Sequence, residues 1–346
     1  MWTRPKPALR PLEKLAQSVL YCTDGLLPKG VFCMTKRPGF FAAALFAAAA
    51  LSLASCGGAP AEAQSSEGIH GNLHRVEYGA NVAYIFGSFH LGRPHWFPLA
   101  DSVENAMRRA DVFAFEFDLT QMGLAAFMTM QYIMLPGGQT LAEFLPPDVY
   151  ETFVANLATY YGFAYGFMNR LTPMTISTIV NLEIFAEMGL DPAYSVDTYV
   201  FDFAVRNGLP VVGLNELQSE LSLALDLPDD VQIALAEATM DRAAALEMAQ
   251  ELRMAEMYEA QDMAGFLELR LALADADDAF SRYSLETLVH GRCRIFASEI
   301  ARLLTRTEEP TTFFVTMGLL HIIGGDVDTN VLGLLREAGF EVVPAF

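Results

Sequence analysis

Val82-Ala83-Tyr84-Ile85-Phe86-Gly87-Ser88-Phe89-His90, near the front of the chain, and Thr312-Phe313-Phe314-Val315-Thr316-Met317-Gly318-Leu319-Leu320-His321, near its end, share one pattern. Each is an apolar, β-type run that closes on G-x-x-H. A glycine follows each histidine (Gly92; Gly324-Gly325). Then comes an amphipathic helical pattern (Val103 to Arg109; Val331 to Glu337) and a second apolar run (Val112 to Phe117; Phe340 to Val343). A widely spaced repeat of this kind predicts two β-α-β units. The expected fold is therefore α/β (α+β), a mixed central sheet from two pseudo-symmetric β-α-β halves, with a large helical insertion. Each half places a histidine at the carboxyl end of its first strand, where open α/β sheets build their sites. The glycine three residues before each histidine is expected to allow a tight exit from the strand.

The chain has 346 residues, 53% of them hydrophobic, enough to bury a large core. Its front is different in kind. Gly39 to Ala54 is almost continuously Ala, Leu and Phe and follows Lys36-Arg37. That run is shorter than the roughly 20 residues a helix needs to cross a bilayer, and it reads as the apolar part of an export signal. Leu53-Ala54-Ser55-Cys56 behind it resembles a bacterial lipobox, which makes Cys56 the expected lipidation site. The expected organisation is a signal segment over 1–55 with its true start at Met34, a flexible Gly/Ala/Ser/Glu/Gln tether over 56–70, and one domain over 71–346. Localisation follows as exported and lipid-anchored to the cell envelope, with the membrane as partner through Cys56.

Cys22 and Cys33 precede the signal, and with Cys56 acylated only Cys293 is left in the folded body, so no intrachain disulfide can form. Net charge is −20. Without the first 55 residues, which hold seven Lys/Arg and two Asp/Glu, it becomes −25. Such a surface repels phosphate backbones, which argues against a nucleic-acid partner.

Leu73 to Val76 and Val82 to Phe86, with Tyr78-Gly79-Ala80-Asn81 between them, predict a β-hairpin feeding the first histidine. A helical cap is expected at about 120–190, broken at Leu135-Pro136-Gly137-Gly138 and restarted at Pro146-Pro147. Its dense Met and aromatic residues (among them Phe127, Met128, Met130, Tyr132, Phe167 and Met168) read as core that also lines an apolar cleft. A helix starting at Ser195-Val196-Asp197 leads to a strand over Leu209 to Leu214, then Asn215-Glu216. From about 228 to 305 the pattern is helix after helix, with Arg292-Cys293 on the last one.

Of six histidines, only His90 and His321 occupy matched strand ends; His70, His74, His95 and His290 read as surface or loop residues, with His95 beside Trp96 at the rim of the cleft. Glu116 stands alone in the apolar run Val112 to Phe117, where a carboxylate needs either a site or a partner. Two neutral imidazoles and a carboxylate suit a divalent first-row metal (Mn, Co or Zn) with open positions for water and substrate. The competing reading pairs Glu116 with a buried arginine such as Arg292, as a structural ion pair.

Taken together, these stretches resemble the TraB/GumN family, part of the wider Tiki superfamily of metal-dependent proteases. The resemblance runs from about Gly71 to Phe346 and rests on Tyr84 to His90, Phe115-Glu116-Phe117-Asp118, Leu135 to Leu141, Leu171-Thr172-Pro173-Met174, Ser195-Val196-Asp197, Val212-Gly213-Leu214, Gly318 to His321 and Leu334 to Phe340. It implies a metal held by His90, His321 and Glu116 in a hydrolase acting on a peptide or a small molecule. Glu216 or Asp118 would assist, with Arg292 steadying an oxyanion or the carboxylate. The family's Glu-Thr after Gly-Leu appears here as Asn215-Glu216, and its Arg-Asn as Arg292-Cys293; asparagine cannot take up a proton as a carboxylate does. Those departures support the alternative, a non-catalytic lipoprotein that binds a haem-like or other apolar ligand in the same cleft.

Overall fold

The computed structural model describes residues 68–161, 165–241, 245–274, 277–324 and 330–345. The signal segment and Cys56 lie outside the described residues. Of the expected tether only 68–70 are described, and Ile69 there is buried, its carbonyl accepting the Ala100 N–H.

Six strands form one mixed sheet: β1 (His74–Tyr78), β2 (Asn81–Ser88), β3 (Val112–Phe117), β4 (Val211–Asn215), β5 (Thr312–Gly318) and β6 (Glu341–Pro344), in the order β4-β3-β5-β2-β1-β6. The expected hairpin is present as antiparallel β1 and β2, turning between Tyr78 and Asn81. Strands β2, β5, β3 and β4 run parallel. β5 lies between β2 and β3, and its apolar run Phe313 to Met317 is buried. One face carries Phe86, Phe113, Phe115 and Phe314; the other carries Ile85, Ala114, Val315 and Met317. Such two-sided burial explains why these strands read as continuous apolar runs.

Among the described residues the α-helices of seven or more residues, in chain order, are α1 (Asp101–Arg109), α2 (Met122–Ile133), α3 (Pro147–Tyr161), α4 (Pro173–Glu187), α5 (Val196–Arg206), α6 (Leu217–Leu225), α7 (Asp229–Asp241), α8 (Ala245–Ala260), α9 (Met263–Ala274), α10 (Arg292–Arg306) and α11 (Val331–Glu337). Among the described residues no helix is long and apolar enough to cross a membrane. α1 covers the phenylalanine face, and α10 and α11 cover the opposite one. That division follows from right-handed crossovers running in opposite directions from the sheet centre, β2 to β3 and β5 to β6. The two units are not equivalent in topology: β1 stands between β2 and β6, antiparallel to both, so the second unit returns one position further out.

His74 departs from the sequence reading. It lies on β1, opposite Ile85 and Pro344, and is buried at 7% exposure. The cause is that β1 is an interior strand. The helical cap has its own apolar cluster, including Leu141, Leu145, Phe153, Leu157 and Ile176, with Ala236 of α7 joining it. Within it Met168 is buried, but Phe127, Met130 and Phe167 are exposed, so the Met and aromatic stripe is only partly core.

Candidate functional site

Both G-x-x-H turns emerge at the carboxyl end of adjacent parallel strands. Gly87 faces Met317 and Ser88 faces Gly318, so the two motifs are staggered by one residue. Neither glycine is needed for a left-handed backbone; Gly318 has φ −51. Space is the reason. A Cβ on Gly87 would stand 2.5 Å from Leu319 Cδ1, and one on Gly318 would stand 3.2 Å from His90 Nε2 and 3.3 Å from Glu116 Oε1. Gly318 is thus the floor on which the first histidine and the β3 glutamate meet.

Each imidazole is held by Nδ1. His90 Nδ1 lies 2.9 Å from Asp197 Oδ2, and Ser88 Oγ donates to Asp197 Oδ1 at 2.7 Å. Asp197 is placed by the first turn of α5, whose N-cap Ser195 accepts from Thr198 N. His321 Nδ1 lies 3.4 Å from Cys293 Sγ, and that thiol donates to the His321 carbonyl. With the thiol proton so used, His321 Nδ1 donates to sulfur and its Nε2 carries the lone pair. His321 Nε2 then faces Glu116 Oε1 at 3.6 Å and Arg292 Nη1 at 3.5 Å.

Glu116 accepts the Gly318 N–H through Oε1 at 2.8 Å and pairs through Oε2 with Arg292. The same guanidinium nitrogen pairs with Glu220 Oε2, and Asn215 Nδ2 donates to Glu220 Oε1 at 2.7 Å. Arg292 enters from the top of α10, just after a π-helical stretch over Ser284–Gly291, a widened turn of the kind found beside functional sites. Its guanidinium also packs over the Phe296 ring.

Charge is distributed unevenly. Burial opposes charge on Glu116, but Arg292 and then His90 outweigh it and hold this carboxyl well below the usual range. Glu220 goes the other way: burial raises it, and Arg292 only partly offsets that. Burial also works against His90, yet the Asp197 carboxylate raises it, within water's reach because its side chain is 48% exposed. Buried His321 is pushed down to about 3 and is neutral. The Cys293 thiol is pushed up to about 12 by burial and stays protonated.

His90, His321, Glu116 and Arg292 are therefore brought together. Glu216 is not. It is exposed at the N-cap of α6, and one turn further on Glu220 reaches Arg292 instead. Asp118 is not there either: it caps the turn after β3, accepting from Thr120 and Gln121. The sequence reading missed Asp197 and Glu220 as site residues. A signal for Glu220 exists: it shares the face of Leu217, Leu221 and Leu225, where a glutamate is out of place.

The chain matches the TraB/PrgY/gumN family over residues 72–344. It belongs to that family. No curated protein and no solved structure matches it.

Among the described residues no group of three or more His, Cys, Asp or Glu side chains stands arranged to hold a metal. The chemistry of the donors nonetheless suits one. His321 Nε2 and Glu116 Oε1 are 3.6 Å apart, close to the about 3.4 Å expected of two ligands each ~2.1 Å from a tetrahedral ion. Anchoring of Nδ1 by a second group is the usual way a ligating imidazole is oriented.

Proposed function

We propose that this TraB-family protein is a lipid-anchored, envelope-located metal-dependent hydrolase acting on peptides, with His90, His321 and Glu116 as the residues that would hold a divalent cation. The observation that carries this reading is the pair of imidazoles, each tied at Nδ1: His90 Nε2 stands with Glu116 Oε1 over Gly318, and His321 Nε2 lies 3.6 Å from the same oxygen. Bound there, the ion would supply a water of lowered pKa and polarise a carbonyl.

The chain's own residues divide the remaining work. Arg292 pairs with both Glu116 and Glu220 and fixes the two carboxylates, and its Nη1 is the donor on the His321 side, where an oxyanion would develop. Glu220, raised by burial with Arg292 only partly offsetting it, is the carboxylate better suited than Glu116 to take up a proton. This role moves from Glu216, which is on the surface.

Purified protein from residue 57 onward tests the reading. Calorimetry should detect Mn, Co or Zn binding that is lost in His90→Ala and His321→Ala, and metal should switch on peptide cleavage that Glu220→Gln slows. Absence of binding together with identical behaviour of metal-free and metal-soaked protein would falsify the hydrolase proposal. Mass spectrometry of membrane-extracted protein tests the anchor, which requires acylated Cys56 at the mature terminus. The haem-binding alternative takes over if haemin gives a Soret shift that His90→Ala abolishes.

A further inference from the structure

One helical hairpin touches both histidine turns. α8 and α9 are joined at Gln261-Asp262, where Gln261 takes φ +55 and Asp262 Oδ1 accepts the Gly265 N–H at the start of α9. From the last turn of α8, Tyr258 OH donates to the Gly87 carbonyl at 2.8 Å. The Tyr258 ring packs 5.3 Å from Phe89 and 5.3 Å from Trp96, on the two sides of His90. Its neighbour Glu259 accepts from Arg93, His95 and Trp96 Nε1, fixing the chain that leaves the first turn. Two turns along α9, buried Arg270 donates to the Leu320 and Ile323 carbonyls, which flank His321.

We infer that Tyr258 and Arg270 are positioning residues for the two imidazoles, the α8–α9 hairpin acting as the common support that sets the spacing between His90 and His321. The inference rests on the metal-site reading above for its functional meaning, but its geometric content does not. Neither side chain touches the reacting atoms; each acts through the backbone of the turn that carries a histidine. The fit is chemical as well as spatial. Phenol and guanidinium are donors, and the groups they meet are backbone carbonyls at the end of β2 and in the turn that follows β5. Full burial of Tyr258 raises its hydroxyl far above ordinary values, so it stays a donor across the working pH range.

Tyr258→Phe removes one oxygen and keeps the ring packing, and Arg270→Lys keeps the charge while Arg270→Met does not. In metal-free protein, Tyr258→Phe should shift the ring-nitrogen NMR signals of His90, and Arg270→Met those of His321, with Arg270→Lys closer to wild type. Cobalt affinity by calorimetry should fall about tenfold or more in Tyr258→Phe and Arg270→Met, the scale seen for outer-shell partners. The control is Leu304→Ala, a fully buried site twelve residues along α10 from Arg292, about 18 Å by helical rise, which lowers stability without touching either turn. Unmoved ring signals in both variants, or equal affinity loss in Leu304→Ala, overturn the inference. Should wild-type protein bind no cobalt, the hydrolase proposal fails while the ring-nitrogen shifts still decide the hairpin's role.

Discussion

Thr316 lies in the middle of β5 with no exposed surface, and its hydroxyl has no hydrogen-bond partner among the described residues. A buried donor without a partner costs its desolvation, so Thr316→Val, nearly equal in shape, should stabilise the protein by about 1 kcal/mol. A urea midpoint shifted upward at unchanged slope is the expected result. Arg292 presents the opposite case. Two carboxylates at 11% and 7% side-chain exposure depend on it, and removing one partner of a buried ion pair costs about 3–5 kcal/mol. The pH dependence of Arg292→Met follows from the same residues. In the wild type Glu116 is held below its ordinary 4.5, so its contribution is present above that value and is lost as pH falls. Without the guanidinium both carboxyls lose their main lowering partner and move up, so the variant takes up protons at higher pH than the wild type and loses less stability as pH falls from 8 to 5. The stability gap between wild type and Arg292→Met should therefore narrow across that window, as read by chemical denaturation at each pH. At this scale the sequence was informative about Glu116, because a lone carboxylate in an apolar strand must have a partner or a site; here the partner is Arg292. Glu220 carried a weaker signal, a glutamate on the face of Leu217, Leu221 and Leu225, whose meaning depends on α6 turning that face toward the sheet end.

Among elements, α5 shows how a cap transmits order to the site. Ser195 Oγ accepts from Thr198 N at 3.1 Å and lies 2.7 Å from Thr198 Oγ1, closing the first turn, and two residues on Asp197 holds His90. Ser195→Ala should cost about 1 kcal/mol, typical of a lost N-cap, and loosen the His90–Asp197 contact. β1 offers a separate test. Burial, aided by Arg336, lowers the pKa of His74 against the raising effect of the Asn72 carbonyl, so the imidazole is neutral when folded. The unfolded chain takes up a proton there below about 6.5 and the folded chain does not, so stability falls as pH drops through that value. His74→Gln should flatten the stability-versus-pH curve between pH 7 and the lower folded value relative to wild type, measured by urea denaturation. Both G-x-x-H strands, the hairpin and the Ser195 helix start were legible because each is written in local periodicity or capping residues. The burial of His74 was not, because it depends on β6, drawn from the far end of the chain, closing the outer side of β1.

Over the whole molecule, two apolar bodies are stacked on one chain path. The sheet and its covering helices form the larger clusters on either face, whereas the cap has the separate cluster around Leu141, Phe153, Leu157 and Ile176. Sequence composition could forecast that the cap is helical but not that α3 and α4 pack against α7 of the later helical region, since no periodic signal tells which element an apolar face is turned toward. A separate cluster predicts a separate opening unit, because cooperative units follow contiguous packing. Leu157 is fully buried at the centre of the cap cluster, and Leu157→Ala should cost about 2–5 kcal/mol through lost contacts and a residual cavity. If the cap opens on its own, that cost falls on it alone. Amide exchange in the described parts of α3 and α4 should then accelerate by orders of magnitude, while the amides of β5 and β2 exchange as in wild type. Equal acceleration in β5 would mean that cap and sheet open as one body. The result also bears on the site, since His90, His321 and Glu116 are all carried by the sheet: with the cap loosened and the sheet intact, calorimetric cobalt affinity should stay within a factor of about two of wild type, well short of the tenfold scale of an outer-shell loss.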